Sequence, residues 1–545
     1  MAQTKADEMA LKQKEISVAE FFEKNRHLLG FDNKRKALLM TVKEAVDNSL
    51  DACEEARILP EVQIEIVDMG NDRYRVIVED NGPGIVKKQI PNIFAKLLYG
   101  SKFHRLRSSR GQQGIGISAS VMYAQLTTGR PAKITSKIGK DHPASYFELN
   151  IDTQKNEPRI LKEEVVEWNK EHGTRIELDL EGSYIKGSQS VDEYLKETAI
   201  VNPHVTIIYA NPKAEQFIFT RVIEELPREA QEIKPHPHGV ELGMLQRMLK
   251  NTETRTLQSF FTTEFSRVGP GTAKEICEKS GILPNAKPQS VELFQVEKII
   301  KAIKDTKIIA PSTDCLSPIG AENLEKGLKK EIKAEFYTSV TRPPSVYRGR
   351  PFVIEAAIAY GGELIADKSI NILRFANRVP LLHQQGACAS IESITETNWR
   401  PYGLQQSQNS LPVGPCVIVV HIASVWVPFT SEAKEALAHY PEIIKEMKLA
   451  LQECGRKLSS YINKKKRVQD EFKKRGYIEK YLPHIGIALK ELLNLSDKDE
   501  KRMLEILEDT LEKSRPSSEL EKVEHDEDEE SYGLELGEES ESENE

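Results

Sequence analysis

Four short polar segments, in a fixed order within the first 180 residues, constrain the fold more than any other feature of the chain. They are KEAVDNSLDAC (43–53), EDNGPGI (79–85), SSRGQQGIGIS (108–118) and HGTRIEL (172–178). Each segment alone is a weak signal, because N-G-P-G is also an ordinary tight turn and glycine-rich loops are common. Together, in this order and at this spacing, they strongly indicate one shared site.

The first segment predicts an amphipathic helix from about Lys34 to Ala56. Apolar and small residues recur at helical spacing and can face a core, namely Ala45, Val46, Ser49, Leu50 and Cys53. On a neighbouring stripe, Glu44, Asn48 and Asp51 follow one another at about one helical turn. An acid and an amide beside a buried face mark this helix as more than a packing element.

The second segment follows a predicted hairpin. Residues 62–67 and 73–78 alternate apolar and polar side chains around a turn at 70–72. The second strand runs into EDNGPGI, where Asp80 ends the strand and glycines leave little side-chain bulk. A flat ligand can lie against such a turn, and the Asp80 carboxylate can accept a hydrogen bond from an exocyclic amine.

The third segment places Gly111, Gly114 and Gly116 where a loop becomes the N-terminus of a helix. Free backbone N–H groups and the helix dipole favour phosphate at such a point. The preceding stretch YGSKFHRLRSSR (99–110) is basic and loop-like, as a cover over phosphates would be. Lys102 in this stretch either reaches a phosphate or is a solvated surface lysine.

The remaining pattern predicts an α+β protein of several parts. Strand-like stretches near 133–137, 144–151 and 174–180 interleave with helices, which favours one sheet with helices on a single face. Residues 229–305 have the pattern of helices broken by turns, and strands return from 335 to 430.

A long charged helix is predicted from residue 431 to about 475. It carries the basic clusters NKKKR (463–467) and KKR (473–475), and shorter helices follow it. Beyond Lys513 the helical pattern ends.

Composition excludes several classes of protein. Hydrophobic residues make up 39% of the chain and charged residues 29%, as in soluble globular proteins. No apolar run approaches the length of a membrane span, and the charged N-terminus is unlike a secretory signal. The six cysteines are scattered without a C-x-x-C pair, which argues against a zinc knuckle and fits a reducing compartment. We expect a cytoplasmic protein that does not bind membranes.

The net charge of −8 conceals a basic body. Residues 516–545 contain 14 acidic side chains against one lysine, a net charge of −13, which leaves +5 on residues 1–515. This composition predicts a disordered acidic tail. The tail either promotes solubility, which we favour, or mimics nucleic acid and competes for a basic face.

The ordered series resembles the GHKL ATPases, which include gyrase B subunits, MutL, heat-shock chaperones and histidine kinases. The chain has neither a G-x-x-x-x-G-K-[ST] loop nor the protein-kinase motifs H-R-D and D-F-G. The resemblance implies a GHKL (Bergerat) ATPase sandwich, with ATP and Mg²⁺ as cofactors bound between the helices and the sheet.

The resemblance also implies a role for each matching residue. Glu44 would orient and deprotonate the attacking water, and Asn48 would hold Mg²⁺ through an amide oxygen, which suits a hard cation. Asp80 would read the adenine amine, Gly84 would give the ring room, and Thr174 would support Asp80 through its hydroxyl. The other expected nucleotide-binding residues lie in the glycine-rich loop and its approach: Ser101, Lys102, Gly111, Gln112, Gln113, Gly114, Ile115, Gly116 and Ile117.

Further along the chain the resemblance narrows to one branch, the B subunits of topoisomerase VI. SRVGPGTAKEICEKSGI (266–282) resembles the helix-two-turn-helix insert of that branch, and NWRPYGLQQ (398–406) resembles its W-K-x-Y segment with arginine in place of lysine. RFANRVPLL (374–382) and VPFTSEAKEAL (427–437) resemble its transducer domain. The match covers about residues 10–480, so the chain is identified as a member of this family, of archaeal type.

By this match Lys434 is the switch lysine, which reaches the γ-phosphate from the second domain and takes part in catalysis. A point cation that contacts only the γ-phosphate binds the ATP and ADP states differently, and only such a contact can shift a conformational equilibrium. The alternative is a solvent-facing lysine on a charged helix.

The resemblance implies five parts. These are an N-terminal strap with the GHKL ATPase domain (1–228), the helix-two-turn-helix domain (229–305), the transducer with its stalk helix (306–475), C-terminal helices (476–513) and a disordered acidic tail (514–545).

The implied function is that of the ATP-hydrolysing B subunit of a type IIB topoisomerase. ATP binding would dimerise the N-terminal domains around double-stranded DNA, and the stalk helix would pass the movement to an A subunit in an A2B2 heterotetramer. The A subunit would break both strands through its own tyrosine, whereas Tyr402 in this chain would be structural. The complex would act in the cytoplasm, in association with the nucleoid.

One loop departs from the family pattern. The basic K-G-R-R-like loop of the family corresponds here to YIKGSQS (184–190), which keeps Lys186 and lacks both arginines. Direct DNA contact there is expected to be weak or absent. The clusters at 463–467 and 473–475 either compensate through phosphate contacts or form a solvated helix face.

Three alternatives belong to other functional classes. A MutL-like repair ATPase would be a clamp without strand passage and would lack the helical insert at 229–305. A sensor histidine kinase would need a phosphoacceptor histidine before Glu44, where the chain offers only His27. A chaperone of the superfamily would act without DNA or an A subunit.

Overall fold

Two β-sheets, each covered by helices, form the main body in a computed structural model of the chain, and a small helical unit lies between them in sequence. The structure describes residues 5–10, 13, 15–102, 105–111, 114–431, 433–494 and 496–514. The architecture is α+β, as the sequence predicts.

The first sheet contains eight strands. Their bounds are β1 Glu61–Asp68, β2 Arg73–Asp80, β3 Ala132–Lys137, β4 Ala144–Asp152, β5 Glu157–Val166, β6 Gly173–Glu181, β7 Thr206–Ala210 and β8 Gln216–Phe219. The strand order is β5-β4-β3-β6-β2-β1-β7-β8. The predicted hairpin is confirmed as β1 and β2, with Val62 opposite Asp80. Because β2 lies between β1 and β6, Asp80 ends a central strand of the sheet.

Among the described residues, six α-helices belong to the same part of the chain as this sheet. They are α1 Lys5–Ala10, α2 Val18–Lys24, α3 Lys34–Glu55, α4 Ile90–Ala95, α5 Gly116–Thr128 and α6 Val191–Val201. The predicted long helix is confirmed as α3, which begins where Asn33 Oδ1 accepts the N–H of Lys36 at 2.9 Å. The face of α3 predicted to be apolar is buried, and its members are at most 7% exposed: Ala45, Val46, Ser49, Leu50 and Cys53. Burial of this face leaves the stripe of Glu44 at the edge of the core.

The helices predicted for residues 229–305 are confirmed. They are α7 Leu242–Asn251, α8 Leu257–Glu264, α9 Pro270–Ser280 and α10 Leu293–Lys304. Phe260, Phe261 and Phe265 pack with ring centroids 5.4–6.0 Å apart and are at most 3% exposed. These aromatic contacts give the helical unit an apolar core of its own.

The second sheet is buried on both faces. Its elements, with two helices, are α11 Ala321–Glu331, β9 Phe336–Thr341, β10 Ser345–Tyr347, β11 Arg350–Tyr360, β12 Asn371–Ala376, β13 Val379–Pro380, α12 Ala389–Glu396 and β14 Cys416–Ser424. The order is β10-β11-β14-β12-β13, and β9 pairs with β11. One apolar cluster covers each face, which explains the nearly continuous apolar runs of β11 and β14.

The long helix differs from its prediction at both ends. Helix α13 spans Pro441–Leu493, 53 residues, and α14 spans Asp497–Ser514. It begins at Pro441 because proline is favoured at the first helical position, so residues 431 and 433–440 lie outside it. It also continues well beyond residue 475.

Two further predictions concern the ends of the chain and membranes. Residues 515–545, which contain nearly all of the expected acidic tail, lie outside the described part of the chain. Within the described part, no helix is long and apolar enough to cross a membrane.

Candidate active site

One cavity of about 620 Å³ lies between α3, the end of β2 and the start of α5. Its volume is typical of small-molecule sites. It is lined by every described residue that the sequence predicts for the site: Glu44, Asn48, Asp80, Gly84, Ser101, Lys102, Gly111, Gly114, Ile115, Gly116, Ile117, Thr174 and Lys434. The predicted residues Gln112 and Gln113 lie outside the described part of the chain.

The polar stripe of α3 meets the glycine-rich loop. Glu44 is half-buried and Asn48 is exposed, and both line the cavity. A Cβ atom on Gly116 would lie 1.7 Å from Glu44 Oε2, and a Cβ atom on Gly111 would lie 3.8 Å from Asn48 Oδ1. Glycine at position 116 therefore allows the start of α5 to lie directly against the acid.

A second carboxyl group lies one helical turn from Glu44. Asp47 is 7% exposed, and the Tyr194 hydroxyl donates a hydrogen bond to its Oδ1 at 2.9 Å. Burial raises the pKa of Asp47 to about 6, although the nearby Lys43 charge opposes this rise. Asp47 itself does not line the cavity.

Three donors hold the Asp80 carboxylate in place. Its Oδ1 accepts the N–H of Gly82 at 2.9 Å and the N–H of Thr174 at 3.0 Å, and its Oδ2 accepts the Ser49 hydroxyl at 2.9 Å. Burial raises the pKa of Asp80, and these hydrogen bonds oppose the rise. A carboxylate has about four acceptor positions, so one stays available to a ligand donor.

The direct contact between Thr174 and Asp80 is made by the backbone, so the supporting role of the hydroxyl stays a prediction. It is the backbone N–H of Thr174 that contacts Asp80, whereas the hydroxyl forms a hydrogen bond with Ser136 Oγ at 3.2 Å. The strand pairing of β3 with β6 places Ser136 opposite Thr174 and explains this choice of partner.

The two ends of the cavity differ in chemistry. Next to Asp80, Gly84 has φ +72°, and a Cβ atom there would lie 2.0 Å from the Lys137 carbonyl oxygen, so only glycine fits. At the other end, α5 begins without a side-chain cap. Its first-turn N–H groups form a site that suits an anion.

Lys102 and Arg110 both pair with α3. Lys102 Nζ lies 2.6 Å from Asp51 Oδ2. The buried Arg110 guanidinium bonds Asp51 at 3.0 Å, both Glu54 oxygens at 2.7 and 2.8 Å, and the Asn202 side chain. Burial alone would raise the pKa of Glu54, but the Arg110 charge and the hydrogen bonds from His204 and Arg110 together outweigh it and hold that pKa well below its usual range. The loop is therefore attached to α3 by charge.

Lys434 reaches the cavity from a loop and not from a helix. Its φ is +53°, and its Nζ donates a hydrogen bond to the Arg110 carbonyl oxygen at 3.2 Å. The next residue, Glu435, is buried and forms an ion pair with Lys36 in the first turn of α3. Two adjacent residues of the second sheet's loop thus contact the first domain.

Three residues that contact or support the site give no functional signal in the sequence: Ser49, Arg110 and Glu435. Ser49 resembles an ordinary small residue on a buried helix face, Arg110 belongs to a stretch assigned to phosphate binding, and Glu435 lies in a presumed helix. The ion pairs Arg110–Glu54 and Lys36–Glu435 give no local signal in the sequence, since the two members of each pair are 56 and 399 positions apart.

Residues considered for DNA contact or structure lie away from the cavity lining. Lys186 forms an ion pair with Glu215. Tyr402 packs against α13, where a Cβ atom on Gly455 would lie 2.4 Å from its ring. In the two basic clusters, Lys465 pairs with Glu335 and Lys474 with Glu471.

The donor set fits the expected metal. Asn48 presents an amide oxygen at an exposed position in the cavity lining, and Mg²⁺ is commonly bound through one or two protein oxygens together with phosphate oxygens. Within the described residues there is no group of three or more His, Cys, Asp or Glu side chains placed to hold a metal alone.

Family models match two parts of the chain. Residues 33–181 match the model described as "Histidine kinase-, DNA gyrase B-, and HSP90-like ATPase", and residues 311–474 match "Topoisomerase VI B subunit, transducer". The first match contains α3, β2, α5 and β6, which surround the cavity, and it confirms the expected ATPase fold. The second contains the loop of Lys434.

Curated relatives match most of the chain. The B subunit of type 2 DNA topoisomerase 6 from Methanococcoides burtonii is 53% identical over 494 residues, which cover 90% of this chain and 79% of the relative. Proteins of the same name are 50% identical in Methanosarcina barkeri, over 90% and 79% of the two chains, and 48% identical in Archaeoglobus fulgidus, over 91% and 82%. The similarity extends over both sheets and the helical unit between them.

Proposed function

This chain belongs to the family of type 2 DNA topoisomerase 6 B subunits, and from that premise we propose how its cavity binds and hydrolyses ATP to drive DNA strand passage. The observation that carries the proposal is that the acid, the amide, the strand-end aspartate, the glycine-rich helix start and a lysine from the second domain line one cavity. Each of these groups suits a different part of ATP·Mg²⁺.

Asp80 would bind the adenine. Its one available acceptor position suits the exocyclic amine of the ring, since the other positions are taken by Gly82, Ser49 and Thr174. The ring would lie against the backbone near Gly84, where two chain segments approach too closely for any side chain.

The phosphates would lie at the start of α5. Its uncapped N–H groups and the helix dipole favour negative charge, and Gly111, Gly114 and Gly116 keep side chains out of the way. When bound, Mg²⁺ would neutralise phosphate charge, with Asn48 as its protein ligand. Ser101 and Lys102 line the same cavity and would extend the contacts.

Glu44 would act as general base on the attacking water. It lies one helical turn from Asn48, which keeps the acid off the metal and free to take a proton. The start of α5 packs against it, so its carboxylate is held beside the phosphate-binding backbone.

Lys434 would sense the γ-phosphate. It reaches the cavity from the loop that follows β14 and already bonds Arg110 in the glycine-rich segment. A cation that contacts only the terminal phosphate favours one arrangement of the two domains before hydrolysis and another after it.

The assembly would follow the family pattern. We propose that the ATPase domains dimerise on ATP binding, that the dimer encloses a DNA duplex, and that α13 connects this movement to the cleaving A subunit in an A2B2 heterotetramer. The MutL-like alternative is not favoured, because the transducer match and the near full-length relatives both belong to the topoisomerase family.

The decisive experiment uses Glu44→Ala. We expect binding of a non-hydrolysable ATP analogue to be retained, ATP to lock the protein in a dimer, and turnover to fall by about 100-fold or more, since general-base catalysis contributes roughly that much. ATP hydrolysis and sedimentation are measured with and without the A subunit and DNA.

The control is Glu157→Ala, which removes an exposed glutamate on edge strand β5. Its turnover should equal that of the unmodified protein. Normal turnover in Glu44→Ala would show that another group is the base.

A further inference from the structure

The stem of the glycine-rich loop, residues 106–111, is attached to the second domain by more than Lys434. The Ser108 hydroxyl donates to Asn377 Oδ1 at 2.8 Å, and Asn377 Nδ2 donates to the Ser109 carbonyl oxygen at 3.0 Å. Asn377 lies in the turn between β12 and β13, 269 positions from Ser108. The Asn377 side chain thus forms hydrogen bonds with two consecutive residues of the stem.

Hydrogen bonds with Ser424 fix the orientation of the Asn377 amide. Ser424, at the end of β14, donates its N–H to Asn377 Oδ1 at 2.9 Å and accepts from Asn377 Nδ2 through its carbonyl oxygen at 2.9 Å. The Asn377 side chain is 8% exposed and uses both donors and both acceptor positions. No residue other than asparagine offers two donors and two acceptors in so short a side chain.

The turn itself is held in an unusual conformation. Asn377 has φ +46° and Arg378 has φ +64°, a left-handed pair that asparagine tolerates better than most residues. The Arg378 N–H donates to His421 Nε2 at 3.0 Å, and the Asn202 side chain donates to the Arg378 carbonyl oxygen at 3.3 Å. The buried surroundings therefore fix the turn that presents Asn377.

The same stem is held on its other side by the ATPase domain. The Arg110 side chain bonds Asp51 and Glu54 on α3, and the Arg110 carbonyl oxygen accepts from Lys434. Three consecutive residues, 108 to 110, therefore lie between the second sheet and the helix that carries Glu44. A movement of the β12–β13 turn would move the stem, because Ser108 and Ser109 of the stem both hydrogen-bond the Asn377 side chain.

We propose that Asn377 is a positioning residue for ATP binding, which sets the stem of the phosphate-binding loop and gives the transducer a second contact with the nucleotide site besides Lys434. This inference depends on the proposed function, because it takes the cavity end near Lys434 as the γ-phosphate end. Disturbance of the stem should then weaken binding of the triphosphate more than binding of ADP.

The test compares four variants of the full chain. Asn377→Ala removes the hydrogen bonds between the amide and the stem. Asn409→Ala is its matched control, since Asn409 is exposed in the same domain and also has a left-handed φ of +54°. Ser108→Ala removes one hydroxyl donor without backbone strain, and Ser407→Ala, which removes an exposed hydroxyl in the second domain, is its control. Affinities for a non-hydrolysable ATP analogue and for ADP are measured by calorimetry, with KM and kcat for ATP.

We expect Asn377→Ala to lower affinity for the ATP analogue by about tenfold, because the stem loses the hydrogen bonds that position it, and to change ADP affinity less than twofold. KM for ATP should rise more than kcat falls. Ser108→Ala should show the same selective loss at about threefold, and Asn409→Ala and Ser407→Ala should match the unmodified protein.

Equal losses for ATP analogue and ADP would overturn the proposal, since they indicate a merely structural contact. Unchanged affinities in both Asn377→Ala and Ser108→Ala would overturn it as well. If Asn377→Ala does not fold, Ser108→Ala decides the matter alone. Failure of the unmodified protein to bind the ATP analogue would instead refute the proposed function, so the two failures are distinguishable.

Discussion

Glu44, the proposed base, packs directly against Gly116 in the proposed phosphate site, because glycine has no side chain. Any Cβ atom at position 116 would occupy the space of the Glu44 carboxylate, at 1.7 Å from Oε2. The carboxylate is the far end of a flexible side chain, so it can move aside without disrupting the fold. A substitution here should therefore affect chemistry and leave stability nearly unchanged.

We predict that Gly116→Ala lowers ATP turnover by about 100-fold while nucleotide binding is reduced far less, because the base is displaced and its contribution is lost. Thermal unfolding should be unchanged or slightly higher, since alanine favours helix over glycine by roughly 1 kcal/mol. Turnover and the unfolding midpoint are measured on the same preparation.

The matched control is Gly271→Ala in α9, where an added Cβ atom meets nothing within 4 Å. It should raise stability slightly and leave turnover intact. If Gly116→Ala turns over ATP at the normal rate, Glu44 either stays in place or is not the base.

At this scale the sequence predicted residues that share a motif and missed those that act through distant partners. Glu44, Asn48 and Asp80 follow from local spacing and family resemblance, and all line the cavity. Ser49 supports Asp80 across 31 positions in sequence, which no local pattern reveals. The direct contact of Thr174 with Asp80 is made by its backbone N–H, and a backbone donor leaves no trace in residue type.

Among the elements, the loop between β14 and α13 shows where sequence patterns fail. Residues 431–440 have a helix-like composition, yet the Thr430 N–H bonds the Ala436 carbonyl oxygen at 2.9 Å and the Ala438 N–H bonds that of Pro428 at 2.8 Å. The segment folds back on itself, and the Glu435–Lys36 ion pair attaches it to α3. Tertiary contacts override helix propensity here, whereas α3 and the first hairpin, with strong periodicity, were predicted nearly to the residue.

We predict that Lys434→Ala still binds nucleotide but loses DNA relaxation with the A subunit. Removal of the cation leaves the other lining groups in place and abolishes the contact that distinguishes ATP from ADP. Relaxation of supercoiled DNA and calorimetric binding of nucleotide are the two measurements. Lys445→Ala, an exposed lysine on α13, is the control and should relax DNA normally. Intact relaxation in Lys434→Ala would show that the switch lies elsewhere.

For the whole molecule, the charge network around Arg110 makes the junction between the two domains sensitive to acid. Burial would raise the pKa values of Asp51 and Glu54, but nearby cations outweigh it and lower both below the ordinary 3.8 and 4.5. A carboxyl group with a lowered folded pKa stabilises the fold above its unfolded pKa, and this stabilisation is lost as pH falls through the folded value.

We therefore predict that the thermal unfolding midpoint falls steeply below about pH 4.5. Glu54→Gln should unfold at a lower temperature at pH 7 and show a flatter dependence between about pH 5 and 3, because the titrating group is gone. Calorimetric scans over this range are compared with Glu157→Gln, whose exposed side chain should leave the curve unchanged. Parallel curves for Glu54→Gln and the unmodified chain would place the acid sensitivity elsewhere.

Helix α13 turns a small tilt of the second sheet into a long displacement. Its first part is seated on the second domain from Ile443 to Lys465, which pairs with Glu335, and 28 further residues extend beyond Lys465. At 1.5 Å per residue this arm is about 42 Å long, so a tilt of about 10° at its seat would swing the tip by about 7 Å. Geometry alone would thus convert a small rotation of the second sheet into a movement of several ångströms at the far end of the helix.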